Sequence, residues 1–221
     1  MMQSLFVVSK PFPAFITCCW LALQSAHAIA ASLTLEPIAD AYVRDGAWAN
    51  ANSGAHDLMY TRTRSKGPNY DSYLKFDTSG AGGAGSISAA TLRLSAAKSG
   101  PSLSLGVYAV SSTSWVETAI TWNNRPALGA VLGTAQVAGP GSSYYEIDVS
   151  AYVIGEKAAG RSFISFGLHN PQESGPTIEI RSRENTSGRP QLVITSNAAP
   201  TVSLASPASG AIFAAPATIT L

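Results

Sequence analysis

The chain has 221 residues, 46% of them hydrophobic, enough for the packed core of one or two domains and too apolar for an intrinsically disordered chain. Charged residues make up only 12%, while 19 Gly and 13 Pro sit among many Ser, Thr and Ala, a balance suited to short strands and turns. The net charge of +1 lacks the basic excess of a protein that wraps duplex nucleic acid, so a charged ligand has to be met by a local patch.

Residues 1–28 read as a signal peptide. Lys10 precedes an apolar run at 14–23 that ends in Ala26-His27-Ala28, a small-x-small cleavage pattern. The run is shorter than the roughly 20 apolar residues a membrane-spanning helix needs, so the mature chain is expected to be secreted, without a membrane anchor. Cys18 and Cys19 both fall inside the leader, leaving no disulfide, zinc-thiolate site or cysteine nucleophile behind it.

From Leu33 to Ser196 the apolar residues recur at period two in short runs, the signature of strands. In chain order the runs lie at 39–43, 58–63 and 73–76, then Leu92 and Leu94 around Arg93, then Leu103, Leu105, Val107 and Ala109, then 145–149. Residues 150–159 suit one short helical turn closed by Gly160. Ile164, Phe166 and Leu168 follow, then runs at 177–180 and 191–195, for about nine or ten strands in all. Turn chemistry separates them, as at Lys66-Gly67-Pro68-Asn69 and Gly139-Pro140-Gly141. The pattern predicts an all-β fold, a jelly-roll-like β-sandwich, over 29–196. After Ser196 the chain turns into a linker at Asn197-Ala198-Ala199-Pro200 and two further strand-like runs, too few to bury a core of their own.

Several phrases within 36–196 carry a resemblance. They are Ala39-Asp40-Ala41-Tyr42-Val43-Arg44-Asp45-Gly46, Tyr73-Leu74-Lys75-Phe76-Asp77, and Ser114-Trp115-Val116-Glu117 leading to Ile120-Thr121-Trp122-Asn123-Asn124-Arg125-Pro126. Asp148-Val149-Ser150, Ser182-Arg183-Glu184 and Arg189-Pro190-Gln191-Leu192 follow in order. Together they resemble the DNRLRE-domain carbohydrate-binding modules, carbohydrate-binding module family 96. That resemblance implies non-catalytic polysaccharide binding, with the uronic-acid polymer alginate as a ligand class. One departure is the Asp71-Ser72 pair, where family members are expected to carry a basic residue. The tail at 197–221 resembles the opening of a bacterial immunoglobulin-like domain.

Arg62, Arg64 and Lys66 sit two apart, which in an extended strand sets their side chains on one face about 6.5–7 Å apart. A uronic-acid polymer repeats its carboxylates along an extended chain, and Arg grips each through a bidentate fork. Lys75, Arg93 and Arg181 follow or interrupt apolar residues and are expected to point outward, extending the stripe into a basic sheet face; outward cations also serve simply to solvate a sheet. Leu58 and Tyr60 share the parity of Arg62, a conflict that an exit from the strand after Tyr60 resolves. Among the aromatics, Trp48 in a polar loop and Tyr70 in the turn beside Lys66 suit ligand contact, whereas Trp115 and Trp122 suit plugging the sandwich. Asp40 and Asp45, with Asn50, Asn52 and Asp148, offer oxygen ligands of the kind calcium takes, and equally the turn-stabilising hydrogen bonds of Asx residues; Arg183 and Glu184 suit a turn-pinning ion pair. No other cofactor is expected.

His56 and His169 are the only histidines beyond the leader, and neither sits in a catalytic motif. The expectation is a secreted, non-catalytic module that holds an appended domain near an acidic polysaccharide. A structural or adhesive β-domain is the alternative, and a polysaccharide lyase, which needs no local signature, is a second. Nothing in the sequence speaks to oligomeric state.

Overall fold

The computed structural model describes residues 30–173 and 175–197. The expected leader and the immunoglobulin-like start beyond Asn197 lie outside the described residues. Two antiparallel sheets form a sandwich. One runs β1 (Ala30–Leu35), β11 (Gln191–Asn197), β5 (Ile87–Ala97), β10 (Ile178–Arg181), β3 (Leu58–Thr61), with β8 (Ser143–Asp148) on the other edge of β5. The other runs β2 (Ala39–Arg44), β4 (Tyr70–Asp77), β9 (Phe163–His169), β6 (Leu103–Val110), β7 (Val131–Val137).

The period-two residues supply the core. Ala90, Leu92, Leu94 and Ala96 of β5 meet Leu105 and Val107 of β6 and Ile164, Phe166 and Leu168 of β9 in one buried cluster between the sheets. Burying these aliphatic side chains is worth about 1.5–3 kcal/mol each and is the main force holding the sheets face to face. The helical turn forms as α1 (Ser150–Ala158), where Asp148 Oδ1 accepts from both the Ser150 amide and its hydroxyl. Gly160, at φ +75°, stops it, with its amide donating to the Lys157 carbonyl.

Several boundaries differ from expectation. β3 ends at Thr61, two residues early, and β4 starts at Tyr70, three residues early; the two strands belong to different sheets, and the hairpin turn between them is closed by the isolated bridge of Arg62 to Tyr70. β7 had no period-two signal: it is a largely exposed edge strand, and its pairing with β6 skips Leu132, since Val107 and Tyr108 pair with Gly133 and Val131, which breaks the alternation in β7.

The second sheet buries its other face as well. Ala39, Ala41 and Val43 of β2 and Tyr73 of β4 point away from the sandwich interior and pack with Val110, Trp115 and Ile120, with Trp122 and Leu128 against them. The segment 111–130 is thus a cover laid over that sheet. Two glycines permit the close approach: a Cβ on Gly167 of β9 would stand 2.1 Å from Leu128 Cδ2, and one on Gly54 would stand 2.3 Å from the Glu117 carbonyl oxygen. Trp115, its Nε1 donating to Ser165 Oγ, has the structural role its sequence context suggested, but it is buried under the cover on the outer face of the second sheet and does not plug the sandwich.

Candidate functional site

β2 ends the second sheet and β3 ends the first, and on this side of the sandwich the two meet through aromatic rings. Tyr42 stands edge-on to Tyr60 at 5.0 Å, and both rings lie close to Tyr70. The register then builds a row. Arg44 pairs with Tyr70 across β2 and β4, and Arg62 bridges Tyr70 from the hairpin. Three neighbouring backbone segments therefore set Arg44, Tyr70 and Arg62 side by side, one strand spacing apart.

Both guanidinium groups lie over the Tyr70 ring, Arg62 at 4.5 Å and Arg44 at 5.5 Å, and Arg44 also lies 5.0 Å from the Trp48 ring, itself 53% exposed. Arg62 is held by Nε and Nη2 donating to the Pro68 carbonyl, whereas Arg44 Nε has no hydrogen-bond partner. Burial pulls the Arg62 guanidinium below its usual range, and the charges of Arg64 and Arg44 push the same way against Tyr70 and Asp45. The cations are thus close enough to repel one another, the condition under which a bound anion relieves most strain. Arg64 donates to the Gly175 carbonyl, and Lys66 stands exposed in the turn.

The parity conflict at Arg62 disappears without the expected exit from the strand: Met59 and Thr61 are the buried residues of β3, so Leu58 and Tyr60 lie on the half-buried side that Arg62 shares. The wider basic sheet face is not formed. Lys75 belongs to the second sheet, while Arg93 and Arg181 belong to the first. Each is also engaged. The Lys75 ammonium lies over the Trp115 ring and donates to the Thr113 and Trp115 carbonyls. Arg93 pairs with Glu146 and lies over Tyr144, and Arg181 donates to Asn185 and Ser187 in its own turn. Arg44, by contrast, joins the row without having been singled out, because only the register of β2 against β4 brings it to Tyr70.

The oxygen-rich cluster also regroups. Asp45 accepts from the Asn69 amide and side chain, Asn52 Nδ2 donates to the Glu117 and Ile120 carbonyls, and Asp148 caps α1. Asp40 instead meets Glu117 and Glu184, with ligand oxygens within 4.8 Å of one another, and the Arg183 guanidinium donates to both glutamates. Burial raises the Asp40 carboxyl to about 8, with the nearby Glu184 and Glu117 charges adding and the Arg183 amide opposing, so at neutral pH it is mostly protonated.

The fold is that of a β-sandwich module, two antiparallel sheets with the outer face of the second covered by the segment 111–130 and a guanidinium–aromatic row along one side. Residues 31–196 match the profile of carbohydrate-binding module family 96, and the chain belongs to that family. Over 126 residues it is also 32% identical to a gellan lyase from Bacillus sp, an alignment that takes in 55% of this chain and 5% of that protein's length. The carbohydrate-binding module assignment makes the matched region non-catalytic. No helix among the described residues is long and apolar enough to cross a membrane.

Proposed function

We propose that this secreted module binds an acidic polysaccharide along the row formed by Trp48, Arg44, Tyr70 and Arg62, with Arg64 and Lys66 extending it, and so holds an appended domain at its substrate. The observation that carries the reading is the register that sets two guanidiniums on either side of one tyrosine ring with an exposed tryptophan beside them. The exposed Trp48 ring takes the C–H face of a sugar while the guanidiniums take its carboxylates, and stacking on Tyr70 keeps those cations extended before the ligand arrives. Alginate and gellan, the polymer named by the lyase relative, are the ligands to try first. One module should bind weakly, at about micromolar to millimolar Kd, and tethering raises the effective concentration of whatever is attached.

Affinity electrophoresis of the chain in gels containing alginate, gellan or a neutral glucan, at two salt concentrations, tests this. Retardation by an acidic polymer that weakens with salt and disappears in the Arg44→Ala, Arg62→Ala double variant is the expected result. Retardation by the neutral glucan alone, or by none of the three with the protein folded, overturns it. A new ultraviolet-absorbing product from alginate marks a lyase instead. Calcium remains a secondary proposal, with Asp40, Glu117 and Glu184 as the ligand set and Asp45 outside it.

A further inference from the structure

The hairpin that carries Arg62 and Tyr70 has a second side. Thr63, Asn69 and Asp71 alternate with the residues of the row and line a cavity of about 400 Å³ whose other walls are Trp122, Arg125 and His169. That volume sits at the lower end of small-molecule sites and suits one or two sugar rings. It lies where the cover segment meets the ends of β4 and β9, so its walls come from three stretches far apart in sequence.

Asp71 is buried at its centre. One oxygen accepts from His169 Nδ1 at 2.7 Å and the other lies 3.5 Å from Arg125 Nε. The Arg125 guanidinium lies on the Trp122 ring at 3.5 Å and donates to the Trp122 carbonyl. His169 Nε2 faces Thr63 Oγ1 at 3.4 Å, and the Thr63 hydroxyl proton goes to the Asn170 carbonyl. The walls therefore present the Asp71 carboxylate, which accepts, beside the His169 ring and guanidinium and amide hydrogens that donate, with Leu128 and Pro126 as apolar surface.

The charge balance separates this pocket from the row. The row is cationic, whereas here Asp71 and Arg125 offset each other, and a sugar carboxylate entering would meet the Asp71 carboxylate. Adjacent hydroxyls both donate and accept, which is what a carboxylate beside a guanidinium satisfies. We propose that this pocket binds a neutral hexose unit through adjacent hydroxyl groups, so that the polymer recognised contains neutral as well as acidic sugars. The neutral-sugar assignment rests on the pocket alone; only its extension to a mixed polymer rests on the acidic-polysaccharide reading.

Nuclear magnetic resonance of the whole chain, titrated with glucose, mannose, galactose, rhamnose or glucuronate up to about 50 mM, tests both parts, since single-sugar affinities fall in the millimolar range. A neutral sugar should shift the Trp122 indole, Asn69 amide and His169 ring signals, in the wild type and in the Arg44→Ala, Arg62→Ala variant alike. Thr63→Val and Arg125→Lys, each close in size to the residue replaced, should weaken that binding about tenfold without altering the rest of the spectrum. Absence of any shift by neutral sugars, with alginate retardation intact, sinks the pocket and leaves the row. In the Arg44→Ala, Arg62→Ala variant, stronger shifts of the Trp122, Asn69 and His169 signals by glucuronate than by every neutral sugar refute the ligand class. Neutral-sugar shifts in a protein that no acidic polymer retards uphold the pocket and overturn the row.

Discussion

Raising the pH should destabilise this protein well before its lysines or tyrosines titrate, and the cause is Asp40. In the unfolded chain its carboxyl loses a proton near the ordinary value of 3.8; in the fold, burial holds the proton on until about 8. Between those values the native state binds more protons than the unfolded one, so unfolding free energy falls as pH rises. The stabilising contribution is fully present below about pH 4 and is lost by the time pH has passed through about 8. At about 1.4 kcal/mol per pKa unit the ceiling is roughly 5–6 kcal/mol. Glu117, Glu184 and Arg183 share the charge, so a loss of about 2–4 kcal/mol between pH 5 and 8.5 is the expected size. Asp77 and Asp148, lowered by hydrogen bonds from Ser79 and Ser150, act with the opposite sign and only below the ordinary carboxylate range. Urea denaturation at half-unit pH steps measures the slope, and Asp40→Asn, which mimics the protonated acid and still accepts from the Arg183 amide, should flatten it. Stability that rises from pH 5 to 8, or an Asp40→Asn variant with an unchanged slope, would refute the reasoning.

Trp115→Ala should cost about 3–5 kcal/mol in denaturant unfolding, because it empties the space beneath the cover segment, leaves Ser165 Oγ without its donor and takes the ring from above the Lys75 ammonium, which keeps its two carbonyl acceptors. Gly167→Ala should cost about 1–3 kcal/mol, since its Cβ would displace Leu128, and the Gly167→Ala, Leu128→Ala double variant should recover part of that loss. Trp48→Ala should weaken acidic-polysaccharide retardation about 5- to 30-fold with unfolding free energy unchanged, as the ring is exposed and touches only Arg44 among the cations. If calcium takes the Asp40, Glu117 and Glu184 set, it must displace the Asp40 proton, so its effect on the melting temperature should be larger at pH 8.5 than at pH 5.5; an equal effect at both places calcium elsewhere.

Strand identity was legible because alternation is local: Leu92, Leu94, Ile164, Phe166 and Leu168 declare their faces by period alone, and Gly160 declares the end of the helical turn that begins at Ser150. The residues of the proposed binding row were half legible. Arg62, Tyr70 and Trp48 stood out as cations and rings in turns, but Arg44 entered only through its pairing with Tyr70, and Lys75 and Arg181 left through their own hydrogen bonds. His169 offered no motif because its partner Asp71 lies 98 residues away, and Asp40 looked like a companion of Asp45 until the chain brought Glu117 and Glu184 to it. Periodicity along one strand determines which side a residue takes. Which residues of other strands share that side depends on sheet order and register, set by the burial of both faces of the second sheet at once, and that is where the row, the pocket and the carboxyl cluster were decided.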